Sequence, residues 1–363
     1  MSAPTTTPPP ASPAATATRP APAPRGQLWR GILWLTWRQH RWQLIGGAVL
    51  TAGFLGWMAV NAADLQGALD LCHGPDCSRA VAEDRLARIR HGADIAGYQL
   101  NLVVFLPAML GMFIGVPLLA REYEQRTLLL AWSQDISPRR WLFGKLAVLG
   151  TVVGGLAAAL ATECLHVARL VHLADRRSLF EGTLFQAGGW MPLTLALAWG
   201  MFGVAVGGAL RRLVPAFLVV LGSFAGRTAL MERLRPHLMD PVTRTIPLPP
   251  GGGAGGGGGV DAFAPVANDL VLDGGKAPFV DAAGGLHPYN EVMGQWCGNI
   301  PDGRAEAFSS CLRQHGLTGM QQSLQPEGRM GTFHLIENGL NLGLFVVALV
   351  VTWWLVRRAR TTV

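Results

Sequence analysis

Glu163 and His166 stand three residues apart, a spacing that puts both side chains on one face of a helix. A carboxylate and an imidazole so placed can pass a proton or supply two metal ligands. A lone pair is a weak signal for either, and capping a helix end at a membrane interface is the commoner use. Two further polar groups stand beside apolar blocks: Tyr98, Gln99 and Asn101 open one, and Glu337, Asn338 and Asn341 open another. Polar side chains near bilayer depth are read as functional by default. An intramembrane hydrolase, however, needs a nucleophile beside a base, and no Ser–His or paired-acid arrangement recurs at matched depth. No catalytic residue, cofactor or metal ligand is therefore expected, and a membrane-anchored enzyme or sensor is the alternative reading. The nucleotide-binding pattern G-x-x-x-x-G-K-[ST] is also absent from the sequence. Lys145 follows Gly144 but precedes Leu146, and Lys276 follows Gly274 and Gly275 but precedes Ala277.

Hydropathy sets the elements that carry these residues. Half of the 363 residues are hydrophobic and 15% are charged, against about 25% in soluble domains. The apolar residues gather in separated blocks close to the ~20 residues that cross a bilayer. These are Leu44 to Ala62, Leu100 to Ala120 (with Pro107 and Pro117 inside), Leu146 to Ala161, Trp190 to Leu210, Leu213 to Met231, and Leu340 to Val356. The pattern predicts an all-α polytopic membrane protein with about six transmembrane helices, spans one to five lying within 44–231 and the sixth within 338–356. Five is the competing count. Arg227 falls inside the fifth block and either snorkels to an interface or leaves a short span ending near Ala225.

The remaining segments are polar or mixed. Residues 1–24 are rich in Pro, Ala and Thr and cannot bury a core, which predicts a disordered cytoplasmic tail. Residues 25–43 read as an interfacial amphipathic helix, with Trp29, Leu33 and Trp37 for the headgroup region and Arg30, Arg38 and Arg41 as a basic face. Residues 163–188 suit an interfacial or loop helix. Residues 232–336 hold no span and read as a long extracytoplasmic loop with a Gly-rich insert at 251–259. A basic cytoplasmic tail, 357–363, ends the chain.

Much of the arginine behind the net charge of +7 flanks apolar blocks, which suits anchoring at lipid and not nucleic-acid binding. With the N-terminus inside, fourteen Arg and Lys residues fall on inner segments, almost all near a helix end. That bias predicts a plasma-membrane protein with both termini cytoplasmic. The same layout puts Cys72, Cys77, Cys297 and Cys311 outside, where an oxidising compartment permits Cys72–Cys77 and Cys297–Cys311 bridges; free thiols are the alternative.

Residues 121–145 form an internal loop of alternating chemistry. Arg121, Glu122, Glu124 and Arg126 are followed by an apolar middle from Leu128 to Trp132, then by Arg139, Arg140, Trp141 and Lys145. Such a stretch can lie along a membrane and present charge to a partner, although a solvated loop would read the same way. Three stretches carry a family resemblance: WRQHRWQLIGGAVL, REYEQRTLLLAWSQDISPRRWLFGKLAVLG and LQPEGRMGTFHLIENG. They resemble the permease subunits of ABC-2 type transporters, of the kind abundant in actinobacteria. The family pattern runs glutamate, Gly-Thr, Leu-Ala-Trp-(Thr/Ser)-Gln, Arg-Trp, Lys. Here it is matched by Glu122, Glu124, Thr127, Leu130, Ala131, Trp132, Ser133, Gln134, Arg140, Trp141 and Lys145, with Arg126 where the family has glycine.

The resemblance implies a membrane pathway, used for export and driven by a separate ATP-binding subunit on the cytoplasmic side. Residues 121–145 would be the coupling loop, acting through Glu122, Glu124, Arg126, Thr127, Trp132, Gln134, Arg140, Trp141 and Lys145. Six helices enclose little space, so a homodimer or heterodimer of permease subunits is expected.

Overall fold

The computed structural model describes residues 25–71, 79–125, 137–175, 178–180, 182–248, 269–273, 276–298, 300 and 305–359. The 1–24 tail, the Gly-rich insert and the Cys72–Cys77 pair lie outside them, as does the final stretch from residue 360. Six helices are long and apolar enough to cross a membrane. The first is α1 (Arg25–Asp70). The second is α2 (Arg79–Leu110), which continues through a π-helical turn at Gly111–Gly115 into α3 (Val116–Glu124). Then come α4 (Pro138–Asp175), the short α5 (Gly182–Ala187), and the spans α6 (Met191–Leu210) and α7 (Leu213–Leu234).

A module follows, with strands β1 (Val242–Pro247), β2 (Leu270–Val271), β3 (Phe279–Asp281) and β4 (Leu286–His287), helix α8 (Ala305–Gln314) and strand β5 (Leu317–Gln325). The last span is α9 (Met330–Ala359). Successive spans alternate in direction. Leu44 of α1, Leu118 of α3, Trp141 of α4 and Val356 of α9 therefore share one apolar cluster at what we call the basic end. The β-module sits at the opposite, sheet end.

Helix α6 is apolar on all sides and buried along its length, as a central helix must be. Its closest neighbour is the α2–α3 span. Gly111 and Gly115 face Gly203 and Gly207, two Gly-x-x-x-Gly pairs that let backbones approach directly. A Cβ on Gly203 would run into the Gly111 carbonyl, and one on Gly207 into that of Val116. The π-helical turn falls on this contact, and Pro117 follows it at the start of α3.

Three boundaries differ from the sequence reading. Residues 25–43 are not a separate interfacial helix but the first turns of an unbroken 46-residue α1. Residues 163–175, read as an interfacial or loop helix, continue α4 without a break. At 1.5 Å per residue α1 is about 69 Å long, more than twice the ~30 Å hydrocarbon core, so the helices project from the membrane. The projecting parts hold together by packing small and aliphatic residues: Ala62, Leu65 and Ala68 of α1, Ile89 and Ala96 of α2, and Cys164, Val167 and Val171 of α4.

The third difference is in 232–336, expected as a loop. It contains an antiparallel five-stranded sheet of order β1-β5-β3-β4, with β2 also on β5. Strand β5 is the spine, burying Leu317, Met320 and Leu324. With Phe279, Val292, Phe308 and Leu312 two of these, Leu317 and Met320, form a small core. Cys297 and Cys311 are disulfide-bonded beside it. A loop of this length closed covalently adds about 3 kcal/mol to the module on chain-entropy grounds. At the β3–β4 turn, Asp281 accepts hydrogen bonds from His287 Nε2 (3.1 Å) and the backbone N–H groups of Gly285 and Ala283. These bonds, the His287 one foremost, hold its carboxyl below the usual carboxylate range.

Candidate functional site

At the basic end the flanks of the 121–145 loop are anchored from both sides. Glu122 leaves α3 pointing inward and forms an ion pair with Lys145 Nζ of α4; the two side chains are 19% and 4% exposed. A buried ammonium is tolerable only when paired, and Lys145 is satisfied twice, because it also sits 4.3 Å over the Trp141 ring. Trp141 itself is buried in the apolar cluster. Glu124 Oε1 accepts the backbone N–H of Leu213 at 3.0 Å and so caps the start of α7. Ser137 and Pro138 form the usual N-terminal signature for α4, the Ser137 hydroxyl accepting the Arg140 N–H at 3.4 Å.

Glu122, Trp141 and Lys145 are thus brought together inside the bundle, Glu124 is brought to the α6–α7 turn, and Arg139 and Arg140 remain on the surface. Arg126, Thr127, Trp132 and Gln134 lie outside the described residues. Glu122 therefore does not present its charge outward as the sequence suggested. Its first obligation is to Lys145. Around this end, cations lie over aromatic rings near five span termini: Arg38 on Trp34, Arg41 on Trp42, Arg139 on Trp353, Arg211 on Tyr123 and Arg358 on Trp354. Arginine above an aromatic ring is the chemistry of a headgroup belt.

At the sheet end a polar cluster is buried between α6, α7 and α9. Glu337 accepts from Arg235 Nε at 2.8 Å and from Arg227 Nη2 at 3.3 Å. The same Arg227 nitrogen donates to Asn341 Oδ1 at 3.0 Å, and Asn341 Nδ2 donates to Thr194 Oγ1 at 3.2 Å. Thr194 in turn donates to Asn338. Arg235 stacks 4.0 Å over Phe185 of α5. Arg227 is therefore paired inside the bundle. Helix α7 runs on past it because Glu337 supplies a buried counter-charge. Glu337, Asn338 and Asn341 do not open the last helix but lie within it, since α9 already begins at Met330. An arginine inside an apolar block needs a buried acid as its partner, and the fold supplies Glu337.

The other polar groups are tied locally. Asn61 Nδ2 donates to the Gly92 carbonyl and to Gln99, while Asn101 accepts from Thr183. Glu163 is half-buried on α4 and His166 exposed, and the described residues contain no group of three or more metal-binding side chains. A cavity of about 450 Å³ lies toward the basic end between the α2–α3 span, α4, α6 and α9. Leu110, Phe143, Leu146, Met201 and Leu349 are among its walls.

Six spans, a glycine-packed central helix, an apolar cavity and anchored loop flanks describe a membrane conduit more readily than a catalyst. The family model described as "ABC-2 membrane transporter related" matches residues 48–235, just over half of the chain. The chain belongs to the ABC-2 membrane transporter related family. No curated protein and no solved structure matches it. The family match runs from within α1 to Arg235 and so takes in five spans and the 121–145 loop, while the β-module and α9 follow it. This ABC-2-related protein is accordingly a multi-pass membrane protein of permease-like, transport-related type.

Proposed function

We propose that this chain is the membrane-spanning permease subunit of an ATP-driven ABC exporter. A separate ATP-binding subunit docks on its basic end in the cytoplasm, and a second permease copy, identical or different, completes the pathway. One observation carries the reading beyond family membership. The first flank of the 121–145 loop, at the end of α3, is fastened to two other spans, by Glu122 to the second flank on α4 through Lys145 and by Glu124 to the start of α7. A push on the loop is then delivered to α4 and α7 together, which is what a coupling element has to do.

The orientation follows from the arginine-rich termini, which favour the cytoplasm. The Cys297–Cys311 bridge favours an oxidising compartment for the opposite end. Because Glu122 and Glu124 serve the bundle itself, the docking test falls on Arg140 and Trp132. Arg140→Ala and Trp132→Ala should each reduce co-purification of the partner ABC ATPase and slow ATP-driven transport in vesicles. Membrane insertion should be unchanged. Wild-type co-purification and transport in both variants would contradict the coupling role, and substrate turnover by the chain alone would favour an enzyme.

A further inference from the structure

We infer that the apolar cavity is a binding site for the acyl chain of an anionic phospholipid, drawn from the leaflet at the basic end. The cavity wall is almost without hydrogen-bonding side chains: Thr151 is the exception among the residues that line it. At about 450 Å³ it lies within the range of small-molecule sites, roughly 300–1,000 Å³. Four of its wall residues, Leu110, Ile114, Val153 and Ala196, also line a narrower apolar pocket that reaches Leu160. From Phe143 to Leu160 the crevice follows roughly 25 Å of α4. Its shape and chemistry are those of an extended hydrocarbon chain, and a polar ligand would lose its hydrogen bonds on entering.

The opening says where such a chain comes from. Phe143, Ala147, Gly150 and Thr151 lie on one face of α4 and are exposed, so the crevice opens sideways toward α9 at the depth of the lipid. Its mouth carries charge. Phe143 packs 5.6 Å from Trp353, and Arg139 sits 4.7 Å over the same Trp353 ring, with exposed Arg140 beside it. The guanidinium is thereby held one turn above the entrance, where a phosphate attached to the inserted chain would lie. Guanidinium and phosphate pair by charge-assisted, often bidentate, hydrogen bonds.

The site shares Arg140 with the proposed ATPase-docking face, but its test is independent of that partner, because lipid retention is read on this chain alone. The full chain is purified and placed in nanodiscs containing either phosphatidylglycerol or phosphatidylcholine, and retained lipid is counted by native mass spectrometry after detergent washing. Wild type should retain phosphatidylglycerol over phosphatidylcholine by about tenfold, as expected for a charged contact. Gly150→Phe and, independently, Gly200→Leu should abolish retention. Both glycines line the cavity, with open space where a Cβ would be added, so either variant plugs it without clashing at the backbone. An Arg139→Gln/Arg140→Gln double variant should keep the chain site and lose the head-group preference. Retention unchanged by both plugs, equal retention of the two lipids by wild type, or an undiminished preference in the double variant would each overturn the inference.

Discussion

Glu337 is the residue on which most of the sheet end depends. It is fully buried and pairs with two arginines, Arg227 from the last turns of α7 and Arg235 just after it. Removing one partner of a buried ion pair leaves the other charge stranded, at a cost of roughly 3–5 kcal/mol. Glu337→Ala should therefore lower the melting temperature of the detergent-purified protein far more than Glu291→Ala, which alters an only partly buried carboxylate in the module. Similar melting temperatures would show that the cluster is not structural. The residues of this cluster were visible in the sequence, but their partnership was not. Arg227 looked like an anomaly in an apolar block, and Glu337 looked like a polar residue opening the last one. Pairing residues 110 positions apart depends on which spans are neighbours, and local pattern does not encode that. The same limit applied to Glu122, whose charge is used internally by Lys145.

At the scale of elements, packing rests on small residues. Gly203→Ala should separate α6 from the α2–α3 span, because its new methyl group meets the Gly111 carbonyl. Overpacking of this kind typically costs about 1–3 kcal/mol. Gly222→Ala on α7, where nothing lies near the added carbon, is the control and should melt like wild type. Equal losses in the two variants would mean that the seam is not tight. Hydropathy located all six spans because apolar length is a direct requirement of the bilayer. It did not find where helices stop. Past the lipid, α1 and α4 are held by Ala, Leu and Val contacts with each other and α2, a pattern too mixed to register as a span and too long for a loop. The β-module escaped notice for a related reason. Strands β2, β3 and β4 are only two or three residues long, and the partners of β5 come from both ends of a hundred-residue stretch.

For the whole molecule, the central claim is that the flanks of the 121–145 loop and the end of α9 share the cytoplasmic side, with the disulfide-bonded module opposite. The alternating directions of six spans put the loop and the end of α9 on one common side, and the proposed function assigns that side to the cytoplasm from the arginine bias and the bridge. The most direct test labels single cysteines in intact cells with a membrane-impermeant maleimide, in a background where Cys72, Cys77 and Cys164 are serine. Gly284→Cys in the module should label at once, whereas Ser137→Cys and Ala359→Cys should label only after the cells are permeabilised. Labelling of Ser137→Cys in intact cells, or protection of Gly284→Cys, would contradict the topology and with it the proposed ATPase docking face.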